Sequence, residues 1–172
     1  MASINEIEKA WKDSNEVAEK YLQNCSQAAQ MFYKAVNNSL GWPDEKVKIV
    51  SGKDVSDGLS PFVCRQVEEA LILQENSWYK FRIGIILDSA GRRMIFIPVE
   101  IHLLDEKMTI NAGGHKKTID AQDIKKNEEE LQNFAGVVTD KLEEEIRNSF
   151  SYFIREGKEK ERGFEGKIGF NP

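Results

Sequence analysis

The stretch YKFRIGIILDSAGRRMIFIPVEIHLLDEKMTINAGGHKKTI, residues 79–119, decides the fold. Tyr79, Phe81, Ile83, Ile85 and Leu87 alternate with Lys80, Arg82, Gly84 and Ile86. Ile95, Ile97, Val99, Ile101 and Leu103 alternate with Phe96, Pro98, Glu100 and His102. A strand turns successive side chains to opposite faces, so this pattern describes a sheet with one apolar face and one mixed face. Asp88 to Arg92 reads as a hairpin connection and Asp105-Glu106 as a second. If Leu104 opposes Lys107, then Leu103 meets Met108 and Ile101 meets Ile110, apolar against apolar. In the first hairpin the faces match if Leu87 opposes Ile95. That register sets Arg82 opposite Glu100 and Lys80 opposite His102. A fourth strand over residues 116–119 follows the Gly113-Gly114 turn. Pro98 has no ladder donor, so it belongs at a bulge or an outward-facing edge position.

Helical patterns flank the meander. Over residues 3–40, Ile4, Ile7, Trp11, Ser14, Val17, Tyr21, Cys25, Ala28, Phe32 and Val36 recur at spacings of three and four. Ser3 with Glu6 forms a capping-box pair, and Gly41-Trp42-Pro43 ends the helix. At 1.5 Å per residue such a helix is about 50 Å long. That exceeds what a small sheet needs, and it predicts a break or an intermolecular surface. Val47-Lys48-Ile49-Val50 is a short strand candidate. Ser60-Pro61 and the helix-forming Glu68-Glu69-Ala70-Leu71 predict a shorter helix over 61–74, with a strand at Leu71-Ile72-Leu73 as the alternative. Ile124, Leu131, Phe134, Val138, Leu142, Ile146, Phe150 and Phe153 predict a second long helix over 121–157, capped by Asp120 or Asp123. The charged, Gly-containing tail, 158–172, carries Phe164, Ile168 and Phe170 as isolated anchors for the body or a partner. The expected fold is α+β, one domain over 1–157. A meander of three to four antiparallel strands, 78–119, is covered on one face by two long helices, with a short extra helix.

Composition narrows function more than it names it. The chain has 172 residues, 40% hydrophobic and 31% charged, enough for a buried core. With 24 Lys+Arg against 29 Asp+Glu, the net charge of −5 argues against nucleic acid as a partner held by bulk charge. No apolar run reaches the roughly 20 residues of a membrane span. The polar start, MASINEIEKAW, lacks a secretory pattern, so the expected compartment is the cytoplasm. The sequons at Asn24 and Asn37 fall inside a helical pattern and read as accidental. Cys25 and Cys64 sit in apolar contexts and read as reduced, buried thiols.

Candidate chemistry is sparse. His102 and His115 are the two histidines, and nothing shows zinc-ligand spacing, so no metal and no cofactor are expected. Asp88 and Glu100 are strand carboxylates of the kind metal-dependent nucleases use. In this pattern they lie roughly 20 Å apart along the strands and cannot share an ion. Glu100 reads instead as a cross-strand partner of Arg82 or Lys80. Arg92 and Arg93 at one hairpin tip, with Gly113, Gly114, Lys116 and Lys117 at another turn, are the candidate anion site, because backbone amides and lysines converge there. No catalytic set stands out. Phe32, Tyr33, Trp42, Phe164, Ile168 and Phe170 are the candidate interaction surface.

The favoured function is a non-catalytic protein–protein interaction module of adaptor, chaperone-like or inhibitor/immunity type, self-associating as a homodimer. A small apolar-ligand binder lined by aromatics is the alternative. A third reading is an enzyme or binder acting on phosphate or nucleic-acid substrates through Glu100, His102, Arg92 and Lys116.

Overall fold

The computed structural model describes residues 3–53, 62–87, 93–122, 124–156 and 169–171. Helix α1 runs unbroken over Ile4–Leu40, 37 residues. Its first turn is closed by the expected capping box. The Ser3 side chain accepts from the Glu6 N–H, and the Glu6 carboxylate accepts from the Ser3 N–H at 2.7 Å. Gly41 ends it at φ +61°, a conformation in which a Cβ would be strained, and its N–H donates to the Asn37 carbonyl.

The strands are β1 (Val47–Ser51), β2 (Val63–Cys64), β3 (Ile72–Leu73), β4 (Tyr79–Ile86), β5 (Met94–Leu104), β6 (Lys107–Ala112), β7 (His115–Asp120) and β8 (Gly169–Asn171). They form one antiparallel sheet in the order β2-β1-β4-β5-β6-β7, with β3 also beside β4 and β8 also beside β5. The α+β class is as expected, and the sheet is wider than three or four strands. β1 adds to the far side of β4, and β2 to β1. Those pairings join segments distant in sequence, which alternation within one segment does not reveal.

The helix expected over 61–74 is reduced to a single turn, α2 (Val67–Ala70). Its neighbours are sheet: Ile72 and Leu73 pair with Lys80 and Tyr79, and the Ala70 carbonyl accepts from Gly52. The helix propensity of Glu68-Glu69-Ala70 is realised in that one turn, and strand pairing on either side of it stops the helix from extending. The strand reading of Ile72-Leu73 is the one realised. Ser60 and Pro61 lie outside the described residues. Helix α3 spans Glu128–Glu156 after a 3-10 turn at Ile124–Asn127.

The β5–β6 register matches the sequence reading, with Leu104 opposite Lys107 and Ile101 opposite Ile110, and a further strand, β7, follows the Gly113-Gly114 turn. The β4–β5 register differs by two residues. Lys80 opposes Glu100, Arg82 opposes Pro98, and Ile85 opposes Ile95. A shift of two keeps every side chain on its face, so hydrophobic patterning is blind to it. Pro98 sits in a gap of the ladder. Its carbonyl accepts from Gly113 where β6 ends, so its missing N–H faces the same edge, just before β8 begins at Phe96.

The core lies on one face of the sheet. Phe81, Ile83, Ile85, Ile95, Ile97, Val99, Ile101, Met108 and Ile110 are buried there. They form one cluster with Cys25, Ala28, Ala29, Phe32, Ala35 and Val36 of α1 and Leu131, Phe134, Ala135, Val138 and Leu142 of α3. The Phe32 and Phe134 rings meet at 5.4 Å, and Gln132 ties α3 to α1 through the Ala35 carbonyl and the Ser39 hydroxyl. The opposite face carries the half-buried Lys80, Arg82, Phe96, Glu100, His102 and Asn111.

Candidate interaction surface

Helix α1 is longer than the sheet beneath it. Burial begins at Tyr21, and every residue over 3–20 is exposed. The segment over 4–20 therefore projects about 25 Å beyond the body, at 1.5 Å per residue. It carries its apolar stripe into solvent: Ile4 is 74% exposed, Ile7 60%, Trp11 67% and Val17 70%. This stripe is the same helix face that buries Cys25, Ala28 and Phe32 further along. The charged residues over 4–21, Glu6, Glu8, Lys9, Lys12, Asp13, Glu16, Glu19 and Lys20, all lie off the line Ile4, Ile7, Trp11, Ser14, Ala18, Tyr21. The sequence shows this stripe clearly but assigns it to the core. Where the sheet stops is information held elsewhere in the chain.

Of the six candidate interaction residues, the four that are described, Phe32, Tyr33, Trp42 and Phe170, are not brought together. Phe32 is fully buried against Phe134 and offers no surface. Tyr33 is half-buried, and its hydroxyl donates to the Val47 carbonyl at 3.0 Å. Trp42, 42% exposed, borders a groove of about 480 Å³ lined by Leu40, Leu87, Leu142 and Ile146. Phe170 lies in β8 opposite Ile95, so this piece of the tail adds to the sheet. Phe164 and Ile168 lie outside the described residues.

The candidate anion residues that are described are also dispersed. Lys116 and Lys117 are consecutive on β7 and point to opposite faces. Lys117 lies on the helix side and pairs with Glu130 at 2.6 Å. Lys116 lies on the open side, opposite Asn111. Gly113 and Gly114, at φ +55° and +87°, form the two-residue turn between β6 and β7, and the Gly113 N–H is engaged by Pro98. The Arg93 carbonyl accepts from Leu87, and Arg92 and Asp88 lie outside the described residues.

On the open face, Glu100 accepts from Asn111 at 2.8 Å. Arg82 donates to the Ser51 and Lys53 carbonyls, holding the chain that leaves β1. His102 stacks on Trp78 at 5.0 Å, a contact created by the two-residue register difference and invisible in the sequence. Both cysteines are free and buried. Burial pushes the Cys25 thiol up to about 12 and the Cys64 thiol in the same direction, which suits inert core thiols. Among the described residues no three His, Cys, Asp or Glu side chains gather as a metal site. No helix among them is long and apolar enough to cross a membrane.

Compared with family models, curated proteins and solved structures, the chain matches none.

Proposed function

We propose that the chain is a non-catalytic protein–protein interaction module whose docking element is the first half of α1. One observation carries this reading: Ile4, Ile7 and Trp11 line one face of the projecting helix segment, with Val17 beside it, and among the described residues all four stay 60–74% exposed. Full burial of each such side chain contributes about 1.5–3 kcal/mol. Four of them are of a size to offset the roughly 4–15 kcal/mol lost in association. The setting is the cytoplasm, where Cys25 and Cys64 stay as thiols.

The test compares tagged parent with Trp11→Glu in the source cells, with co-purifying proteins quantified by mass spectrometry. At least one protein, copies of the chain itself included, is retained by the parent and falls about tenfold or more with the variant, a loss of about 1.4 kcal/mol. Identical retained sets overturn the reading.

A second reading rests on the groove beside Trp42. Its 480 Å³ falls in the size range of small-molecule pockets, and Leu40, Leu87, Leu142 and Ile146 give it an apolar wall. This favours a small apolar ligand. An environment-sensitive apolar dye bound by the parent and lost in Ile146→Lys supports it; equal binding by both removes it.

A further inference from the structure

We infer that the occupant of the α1 stripe is a second copy of the same chain, its helix lying antiparallel over residues 4–21. The inference rests on the reading of residues 4–20 as the docking element. Three observations lead to it.

The first is the order of side-chain sizes along the seam. Ile4, Ile7, Trp11, Ser14, Ala18 and Tyr21 keep the alternating three-and-four spacing of a helix–helix seam. Large residues fill its first half, and Ser14 and Ala18 follow. Two copies laid antiparallel about a two-fold axis between Lys12 and Asp13 set large against small. Trp11 meets Ser14 of the partner subunit, Ile7 meets Ala18 of the partner subunit, and Ile4 reaches Tyr21 of the partner subunit. An isologous contact needs such self-complementarity. A parallel pair sets Trp11 against itself and leaves two small residues facing each other at Ser14 and again at Ala18.

The second is steric. The exposed stripe is continuous with the face that packs on the sheet from Cys25 onward. A parallel partner helix follows that face into β4 and β5. An antiparallel partner ends there: its Ile4 arrives beside Tyr21 and the half-buried Leu103, and its body lies beyond the other end of the seam.

The third is area. Trp11 alone brings roughly 150 Å² or more of surface. Together with Ile4, Ile7, Val17, Ala10, Ala18 and Tyr21, counted from both copies, the seam comes to about the 1,200 Å² at which specific interfaces begin. The six seam positions are all uncharged, so no ionised group is set between the two helices, and Glu8 is the one charged residue on the immediate flanks.

Light scattering coupled to size exclusion tests this on the full chain, with far-UV circular dichroism as a check on folding. The parent runs as a dimer. Ile7→Asp and Trp11→Glu run as monomers with an unchanged spectrum, since both positions are exposed in the single copy. The double variant Ile7→Cys/Ala18→Cys forms an oxidised covalent dimer, and neither single variant does. A dimer indifferent to Ile7→Asp and Trp11→Glu overturns the inference, as does a covalent dimer from Ile7→Cys alone, which reports a parallel pair. A parent that stays monomeric at its highest attainable concentration also overturns it. If the monomer still retains a protein in a Trp11-dependent way, the docking reading stands with another occupant; if it does not, both fall together.

Discussion

The Tyr21 hydroxyl donates to the main-chain carbonyl of Ser77 at 2.6 Å, and Ser77 sits at φ +65°. Non-glycine residues rarely adopt that conformation, so the turn before β4 is held by what surrounds it. The same hydroxyl accepts from the Leu103 N–H at 3.4 Å, and its ring lies 5.6 Å from that of Tyr79. Tyr21 thus ties α1 to β4 and β5 at the point where the helix leaves the sheet. Tyr21→Phe keeps the ring and removes both hydrogen bonds. The expected loss is about 0.5–1.5 kcal/mol, read from urea unfolding. A loss below the error of that measurement means the hydroxyl is solvated equally well without Ser77.

Phe32 and Trp11 lie on one helix face and should behave oppositely. Phe32→Ala opens a cavity beside Phe134 and is expected to cost about 3–5 kcal/mol. Trp11→Ala in dilute protein, where copies are apart, is expected to stay within about 0.5 kcal/mol of the parent. Chemical denaturation at low protein concentration checks both. A large Trp11 effect there places the overhang against its own body.

Gly52 and Gly84 differ in what a methyl group would meet. A Cβ at Gly52 falls 1.9 Å from the Lys80 carbonyl oxygen, which is backbone and fixed by the sheet. Gly52→Ala is expected to destabilise by about 1–3 kcal/mol. At Gly84 the nearest atom is Met94 Sδ at 2.5 Å, at the end of a flexible side chain, with Val50 Cγ2 next at 3.0 Å. Gly84→Ala is expected to cost less. Thermal unfolding of the two variants side by side gives the order, and the reverse order contradicts the β1–β4 packing.

Burial raises the Cys25 thiol from near 9 to about 12. The folded state therefore holds this proton more tightly than the unfolded chain. Its contribution is full below pH 9, falls as pH rises because the unfolded chain ionises first, and is lost by about pH 12. Parent and Cys25→Ala compared across that window should show the steeper alkaline decline in the parent. In the native protein at pH 8, a thiol reagent should leave Cys25 unmodified until unfolding. Rapid native labelling of Cys25 contradicts its burial.

Much of this is legible in residues close together in sequence. Ser3, Glu6 and Gly41 mark both ends of α1 because caps are local. Ile101 opposite Ile110 follows from alternation and a two-residue turn. The placements that sequence reading misses share one property. The placement of Arg82 opposite Pro98 and the Trp78–His102 stack both depend on the β4–β5 register, which alternation leaves open by two. The candidate anion lysines part for a simpler reason, the alternation of side chains along one strand. Lys116 and Lys117 are neighbours in the chain, yet a strand sends one to Glu130's side and the other to the open face.

Sequence alone determines that residues 3–40 form a helix with one apolar stripe, and that Phe81, Ile97 and Ile110 face one core. Periodicity and caps are properties of a few consecutive residues. Tertiary structure alone decides that the stripe is core at Phe32 and surface at Trp11. Both are aromatic residues on one helix face, and they differ in whether the sheet and α3, segments from elsewhere in the chain, lie against them.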